Sequence, residues 1–252
     1  MKIDLVFRTV GERTTDLALE LARKHIRPDT VHLIENVRPF PLAVKRMLEI
    51  DYQCDYVVFM DADCIILEDM RPFLESNSQP FIDCYLLDRF RGRVHCGIHI
   101  TRLDVVLAMQ KIQLPDDDRQ LILRPESRLR NLALNQLGLE KTFKSFKILH
   151  DFFQYYSDIF SKYALRELKS REGTWKVKFD ASLHWSSGDD LDRKVAFQAI
   201  ESVRRDLGGS PDSTALAEYL GRLPETSRRE VEKLGIAEKE PLTMAEIEAT
   251  AS

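Results

Sequence analysis

The sequence predicts an α/β fold: a mostly parallel sheet flanked by helices, followed by a small helical extension at the C-terminus. Three observations predict it. Short apolar runs alternate with helical periodicity from residue 3 to residue 60. The central run, Tyr56-Val57-Val58-Phe59-Met60, is apolar throughout, as strands covered on both faces are. At Gly208-Gly209-Ser210-Pro211 the composition shifts, and the apolar residues beyond repeat at helical spacing.

Ile3-Asp4-Leu5-Val6-Phe7 reads as the first strand. Thr14 or Thr15 can cap the helix that follows, in which Leu17, Ala18, Leu21 and Ala22 recur at four-residue spacing until Pro28. Val31 to Ile34 gives a second strand. Pro41 suits a first helical position, and Val44, Met47 and Leu48 form the apolar stripe of a second helix. Tyr56 to Met60 is the third strand, and strand-helix-strand-helix-strand order implies right-handed crossovers. Asp83 to Leu87 and Val94 to Thr101 read as further strands, while residues 115–145 show no regular period. A helix is expected over 151–169, with Phe152, Tyr156, Ile159 and Tyr163 along one side. Leu216, Tyr219, Leu220 and Leu223 mark another, Val231 with Leu234 a short separate one, and the last dozen residues are expected to fray.

The chain has 252 residues, 44% hydrophobic and 31% charged, with a formal net charge of −4. Those proportions support a packed core and exclude a wholly disordered chain, a collagen-like repeat or a disulfide scaffold. The missing basic surplus argues against a dedicated nucleic-acid binder. The charge is unevenly distributed. Residues 206–252 carry ten acids against five bases, leaving 1–205 at +1, so an anionic small-molecule substrate meets no global repulsion there. No apolar run has the length of a membrane span, the N-terminus lacks a secretory pattern, and Cys54, Cys64, Cys84 and Cys96 are scattered. A cytoplasmic protein with reduced thiols is the expectation.

The chemistry concentrates in Phe59-Met60-Asp61-Ala62-Asp63-Cys64-Ile65-Ile66. An apolar strand delivers two carboxylates at its C-terminal end, the edge where open α/β sheets bind ligands. In extended backbone, residues i and i+2 point the same way, so Asp61 and Asp63 are expected to converge. Converging carboxylates repel unless a cation lies between them, and a hard divalent cation would also bind phosphate oxygens.

The segment Phe40-Pro41-Leu42-Ala43-Val44-Lys45-Arg46, leading through Asp55 to Asp63, resembles nucleotide-sugar-dependent glycosyltransferases of the GT-A fold, a Rossmann-like architecture with a DxD motif after a central strand. Phe7-Arg8-Thr9-Val10-Gly11-Glu12-Arg13 resembles the first-strand loop of that fold. The resemblance covers roughly residues 1–105. It implies a metal-dependent glycosyltransferase, of hexosyltransferase type; the composition shift and the acidic excess set a catalytic domain over 1–205 and an acidic helical extension over 206–252. Asp63 would ligate Mn²⁺ or Mg²⁺ on the donor diphosphate, and Asp61 would contact the metal or the ribose. Arg8, Thr9, Glu12 and Arg13 would line the nucleotide pocket, with Lys45 or Arg46 approaching the donor. Val94-His95-Cys96-Gly97-Ile98-His99 resembles the segment that closes over the donor sugar, where Gly97 lets backbone come close. His95 and His99 read as structural or sugar-contacting.

A third ligand and a base must come from the second half. In Leu149-His150-Asp151-Phe152-Phe153-Gln154-Tyr155, His150 suits the metal and Asp151 a general base, although Asp151 also stands where a helix N-cap is expected. His184, in His184-Trp185-Ser186-Ser187-Gly188, is the alternative metal ligand. The implied partners are a nucleotide-diphosphate sugar and a glycan or lipid-linked acceptor. The tail fits three roles: a homo-oligomer or partner contact, a cap on the catalytic domain, or a tether near a membrane complex. Three other readings compete. A related nucleotidyltransferase would usually open with a glycine-rich phosphate loop, and only Gly11 is present. A haloacid-dehalogenase-like phosphatase would carry its DxD on the first strand. A non-catalytic scaffold would dock a partner through the tail.

Overall fold

A computed structural model describes residues 1–170, Trp185 and 188–251. The chain divides into two compact units. The first comprises Met1–Gln113, Glu126–Gln154 and Pro241–Ser252, and the second Leu114–Pro125 and Tyr155–Glu240. The boundary expected at 205/206 falls inside the second unit.

The first unit confirms the α/β class. Its elements are β1 (Ile3–Thr9), α1 (Thr15–Ile26), β2 (Thr30–Glu35), α2 (Phe40–Leu48), β3 (Tyr56–Asp61), β4 (Cys64–Ile66), α3 (Arg71–Ser76), β5 (Phe81–Asp88), β6 (Gly92–Arg102), α4 (Leu103–Lys111), α6 (Pro125–Leu137, beginning at the unit boundary) and β7 (Thr142–His150), with α5 (Arg119–Leu123) belonging to the second unit. The seven strands form one sheet in the order β2-β1-β3-β6-β5-β7-β4. β1 runs parallel to β2 and β3, and β5 parallel to β7. β6 is antiparallel to both β3 and β5, and β4 to β7. β1 and β3 are buried almost along their whole length, which is why they read as continuous apolar runs. Ile3, Leu5, Phe7, Val58 and Met60 pack with Ala18, Leu21, Ala22 and Ile26 of α1 in the main core.

The elements of the second unit among the described residues are helices: α5, α7 (Tyr156–Ser170), α8 (Leu191–Asp206) and α9 (Ser213–Lys233). Ile159, Phe160, Tyr163 and Ala164 of α7 are buried, as are Val195, Ala196, Ala199 and Ile200 of α8.

Three expectations change. The helix expected from Asp151 starts at Tyr156, because β7 carries its ladder to His150 and Asp151 then turns with φ of 66°. Asp151 is therefore no N-cap. Glu238 takes that role, accepting the Tyr156 and Ser157 backbone N–H groups at 2.7 and 2.8 Å. The two helices expected around 216–223 and 231–234 are one helix that runs through Pro224, since Leu216, Tyr219, Leu223, Ser227 and Val231 continue one buried face. The residues expected to fray instead form α10 (Met244–Ala251), whose Ile247 is fully buried in the main core. Among the described residues, no helix is long and apolar enough to cross a membrane.

Candidate functional site

Two groups of polar side chains lie within the first unit, and each takes one aspartate of the DxD motif. The motif is not extended throughout. Asp61 is the last residue of β3, Ala62 and Asp63 form a turn, and β4 begins at Cys64. The turn removes the two-residue alternation that would have aimed both carboxylates one way.

Asp61 joins a buried ion network. The Arg8 guanidinium donates to it through Nε at 2.8 Å and to Glu126 of α6 through Nη1 at 2.6 Å. Arg8 also lies over the Phe40 ring and contacts Met47 Sδ. Glu126 faces His99 and Arg130, each at 3.7 Å, and His99 Nδ1 approaches Asp83 at 2.6 Å. Arg8, Glu126, Arg130, His99 and Asp83 are all at least nine-tenths buried, whereas the Asp61 side chain is 30% exposed. Burial alone would push the Glu126 and Asp83 carboxyls up. Arg8, His99 and Arg130 overcome this for Glu126 and hold it down to about 2, and His99, Arg130 and His95 do the same for Asp83, also to about 2. Arg8 is thus committed to Asp61 and Glu126.

The loop after β1 is tied internally. Thr9 Oγ1 donates to Glu12 at 2.6 Å and lies 2.7 Å from Thr15 Oγ1, while the Val10 N–H also donates to Glu12. Burial raises the Glu12 pKa, its hydrogen bonds offset part of that, and the charge of Asp63 adds to the rise. Arg13 makes a bidentate pair with Glu246 of α10, at 2.9 and 2.8 Å. Lys45 and Arg46 lie on the exposed side of α2, Arg46 3.5 Å from Glu49.

Asp63 joins the second group, which strand register assembles. β7 lies between β5 and β4, and its last residue, His150, is opposite Asp88 on one side and Cys64 on the other. Asp88, His150 and Cys64 therefore form a row across three strands, with Asp63 one residue beyond. His150 Nε2 is 3.4 Å from Asp63 Oδ1, and His150 Nδ1 is 2.8 Å from Asp88 Oδ2. Cys64 Sγ lies 3.5 Å from Asp63 Oδ1. Asp88 is held in turn by the backbone N–H groups of Phe90 and Arg91 and by a two-point contact from the Arg91 guanidinium. Asp151, buried beside the row, has its carboxylate 3.5 Å from His150 Nδ1.

Gly97 completes this group. Between Asp83 and Tyr85 the ladder skips register, so β6 bulges outward at Cys96 and Gly97. Gly97 has φ of 69°, and a Cβ there would lie 2.5 Å from Cys64 Sγ and 3.4 Å from His150 Cδ2. The glycine lets Cys64 and His150 approach the strand backbone. Cys96, on the same bulge, has its sulfur 3.8 Å from His150 Nδ1.

Ligand atoms of Asp63, Cys64 and His150 all lie within 4.8 Å of one another, and so do those of Asp88, Cys96 and His150. Among the described residues, Asp61 is in neither set. The structure thus brings Asp63, His150, Asp151 and Gly97 together. Arg8 and Asp61 are in the ion network, and Thr9, Glu12 and Arg13 in the first loop. His184 lies outside the described residues. Sequence reasoning missed Asp88, Cys64, Cys96 and Glu126 as members of these groups. Asp88 carried a signal: it ends an apolar strand with a carboxylate, as Asp61 does.

No family model matches the chain, and no curated protein matches it. Among solved structures, it is similar to a 4-diphosphocytidyl-2C-methyl-D-erythritol synthase from Anaerococcus prevotii, at 7% identity over 61% of this chain and 90% of that one, with a TM-score of 0.39. It is similar to a glycosyltransferase involved in glycosylating the major capsid of PBCV-1, at 9% identity over 60% of this chain and 95% of that one, TM-score 0.39. It is also similar to the catalytic domain of Drosophila β1,4-galactosyltransferase 7, at 14% identity over 56% of this chain and 64% of that one, TM-score 0.38.

Proposed function

We propose that the protein is a metal-dependent transferase acting on a nucleotide-diphosphate sugar, and that it passes the sugar to a glycan or lipid-linked acceptor. The observation that carries this reading is the 3.4 Å approach of His150 Nε2 to Asp63 Oδ1. Two residues 87 positions apart in the chain, each expected on chemical grounds to hold a divalent cation, lie side by side at the end of the sheet. In this reading Asp63 and His150 hold Mn²⁺ or Mg²⁺, and the bound cation supplies positive charge against which a diphosphate can leave. Asp88 fixes the His150 ring through Nδ1 and so directs Nε2 toward Asp63. Asp61, oriented by Arg8 and partly exposed, accepts hydrogen bonds from the donor's ribose. Asp151, beside His150, is the candidate general base toward an acceptor hydroxyl.

The test is a thermal-shift screen with UDP, GDP, CDP and dTDP, each with and without Mn²⁺, on the wild type and on Asp63→Ala. One diphosphate should raise the melting temperature only with metal, and the variant should lose that response. Absence of a shift with every diphosphate would sink the reading. A shift with a nucleoside triphosphate alone, accompanied by pyrophosphate release with a sugar phosphate, would instead favour a nucleotidyltransferase.

A further inference from the structure

The chemistry of the donor atoms around His150 departs from what a hard cation selects. Mg²⁺ and Mn²⁺ are held by carboxylates, carbonyls and water. Here the three atoms that converge are one carboxylate oxygen, one imidazole nitrogen and one sulfur, from Asp63, His150 and Cys64. The sulfur is a thiol, and Cys64 is fully buried at the start of β4.

Two further observations support a built site. The His150 ring is oriented, since Nδ1 is held 2.8 Å from Asp88, and Asp88 is anchored by Arg91 and two backbone N–H groups. A carboxylate behind one imidazole nitrogen, with the other nitrogen facing an acid and a thiol, is the arrangement that supports metal-binding histidines. Space is provided too: at Gly97 any other residue would drive its Cβ into Cys64 Sγ. The four strands β4, β5, β6 and β7 each contribute a part.

We infer that this group is a thiolate-containing site for a borderline transition metal of the zinc class, with Asp63, Cys64 and His150 as ligands and Asp88 as the carboxylate that orients His150. Among the described residues the site supplies three protein ligands of mixed oxygen, nitrogen and sulfur type, a donor set that suits zinc. On binding, the Cys64 S–H gives its proton to solvent and the thiolate bonds to the metal. The site keeps the metal of the transferase reading but puts a zinc-class ion in place of Mn²⁺ or Mg²⁺, and it rests on that reading only for the use to which the cation is put.

Co²⁺ serves as the probe, added to the full-length protein without nucleotide. The expected result is a near-ultraviolet sulfur-to-cobalt charge-transfer band, abolished by equimolar Zn²⁺ and unaffected by excess Mg²⁺. Cys64→Ser should abolish the band, and Cys96→Ser should keep it. Asp88→Asn should keep the band while weakening Co²⁺ binding about 10–100-fold. X-ray absorption of the zinc-loaded wild type gives a readout that needs no variant: a sulfur shell at about 2.3 Å is expected. No charge-transfer band in the wild type, a band that survives Cys64→Ser, loss with Cys96→Ser, or a first shell of oxygen and nitrogen alone would each overturn the inference. Because no nucleotide is present, a diphosphate screen that stays negative with Zn²⁺ as well as Mn²⁺, beside a positive cobalt spectrum, rejects the transferase reading and leaves the metal site standing.

Discussion

The two polar groups of the first unit balance charge in different ways. In the Arg8 network, guanidinium groups lie against the carboxylates: Arg8 contacts Asp61 and Glu126, and Arg130 approaches Glu126. Around His150, Asp88 takes the Arg91 guanidinium, while Asp63 faces an imidazole and the Cys64 thiol. The first arrangement sets opposite charges against one another, and removing one ion strands the others in a medium that cannot solvate them. The second is a set of Lewis bases whose atoms converge within 4.8 Å. Two acids of one short motif, separated by a single residue, enter different chemistries. Asp61 is governed by an arginine on β1, and Asp63 by a histidine on β7.

That division can be broken experimentally, and the network should break hardest. Arg8→Met leaves Glu126 buried with only the longer contacts to Arg130 and His99 at 3.7 Å, and a loss of about 3–5 kcal/mol in urea unfolding is expected. A loss below about 1 kcal/mol would show that the network is not the stabilising group. On the His150 side, Gly97→Ala forces a side chain into left-handed backbone and onto Cys64 Sγ, so about 2–3 kcal/mol should be lost along with cobalt binding. Glu126→Gln keeps the shape but loses the charge, and about 1–3 kcal/mol should disappear at neutral pH.

Acid separates the two groups further. The Glu126 and Asp83 carboxyls are held down to about 2, from ordinary values of 4.5 and 3.8. A depressed carboxyl contributes stability that is complete above its unfolded value and is lost as pH falls through its folded value. Wild-type stability should therefore fall between about pH 4.5 and 2, and the fall should be shallower in Glu126→Gln. An identical slope in both proteins would remove Glu126 from the account. The smallest effect is expected at the edge of the fold: Glu246→Ala, which removes a partner that is 42% exposed from Arg13, should cost about 1 kcal/mol by thermal unfolding.

Much of this unit was legible in the sequence, for a physical reason. β1 and β3 are covered on both faces, so their composition alone marks them, and a motif at the end of β3 inherits its position from the sheet. β7 was not legible as a whole strand because its exposed positions carry Phe143, Lys144, Ser145 and Lys147 in an irregular order, and its buried apolar residues, Phe146, Ile148 and Leu149, come only near its end. Arg8 and Asp4 interrupt an apolar strand, and a charge in such a place signals a buried partner. The partner's identity was out of reach: Glu126 lies in a stretch without periodicity, 118 residues away. Register carries the same lesson. That Asp88, His150 and Cys64 share a row depends on strand order, which places β7 between β5 and β4 and which no local pattern encodes.

The α10 helix has a consequence for how the molecule comes into being. Ile247 is fully buried among residues of β1, α1 and β4, yet it is synthesised after every one of them and after the entire second unit. As the chain leaves the ribosome, the sheet must wait with an unfilled slot, and the loop bearing Thr9 and Glu12 lacks the Arg13–Glu246 clasp beside it. Deleting 244–251 would therefore reach the core beneath β1 and β4.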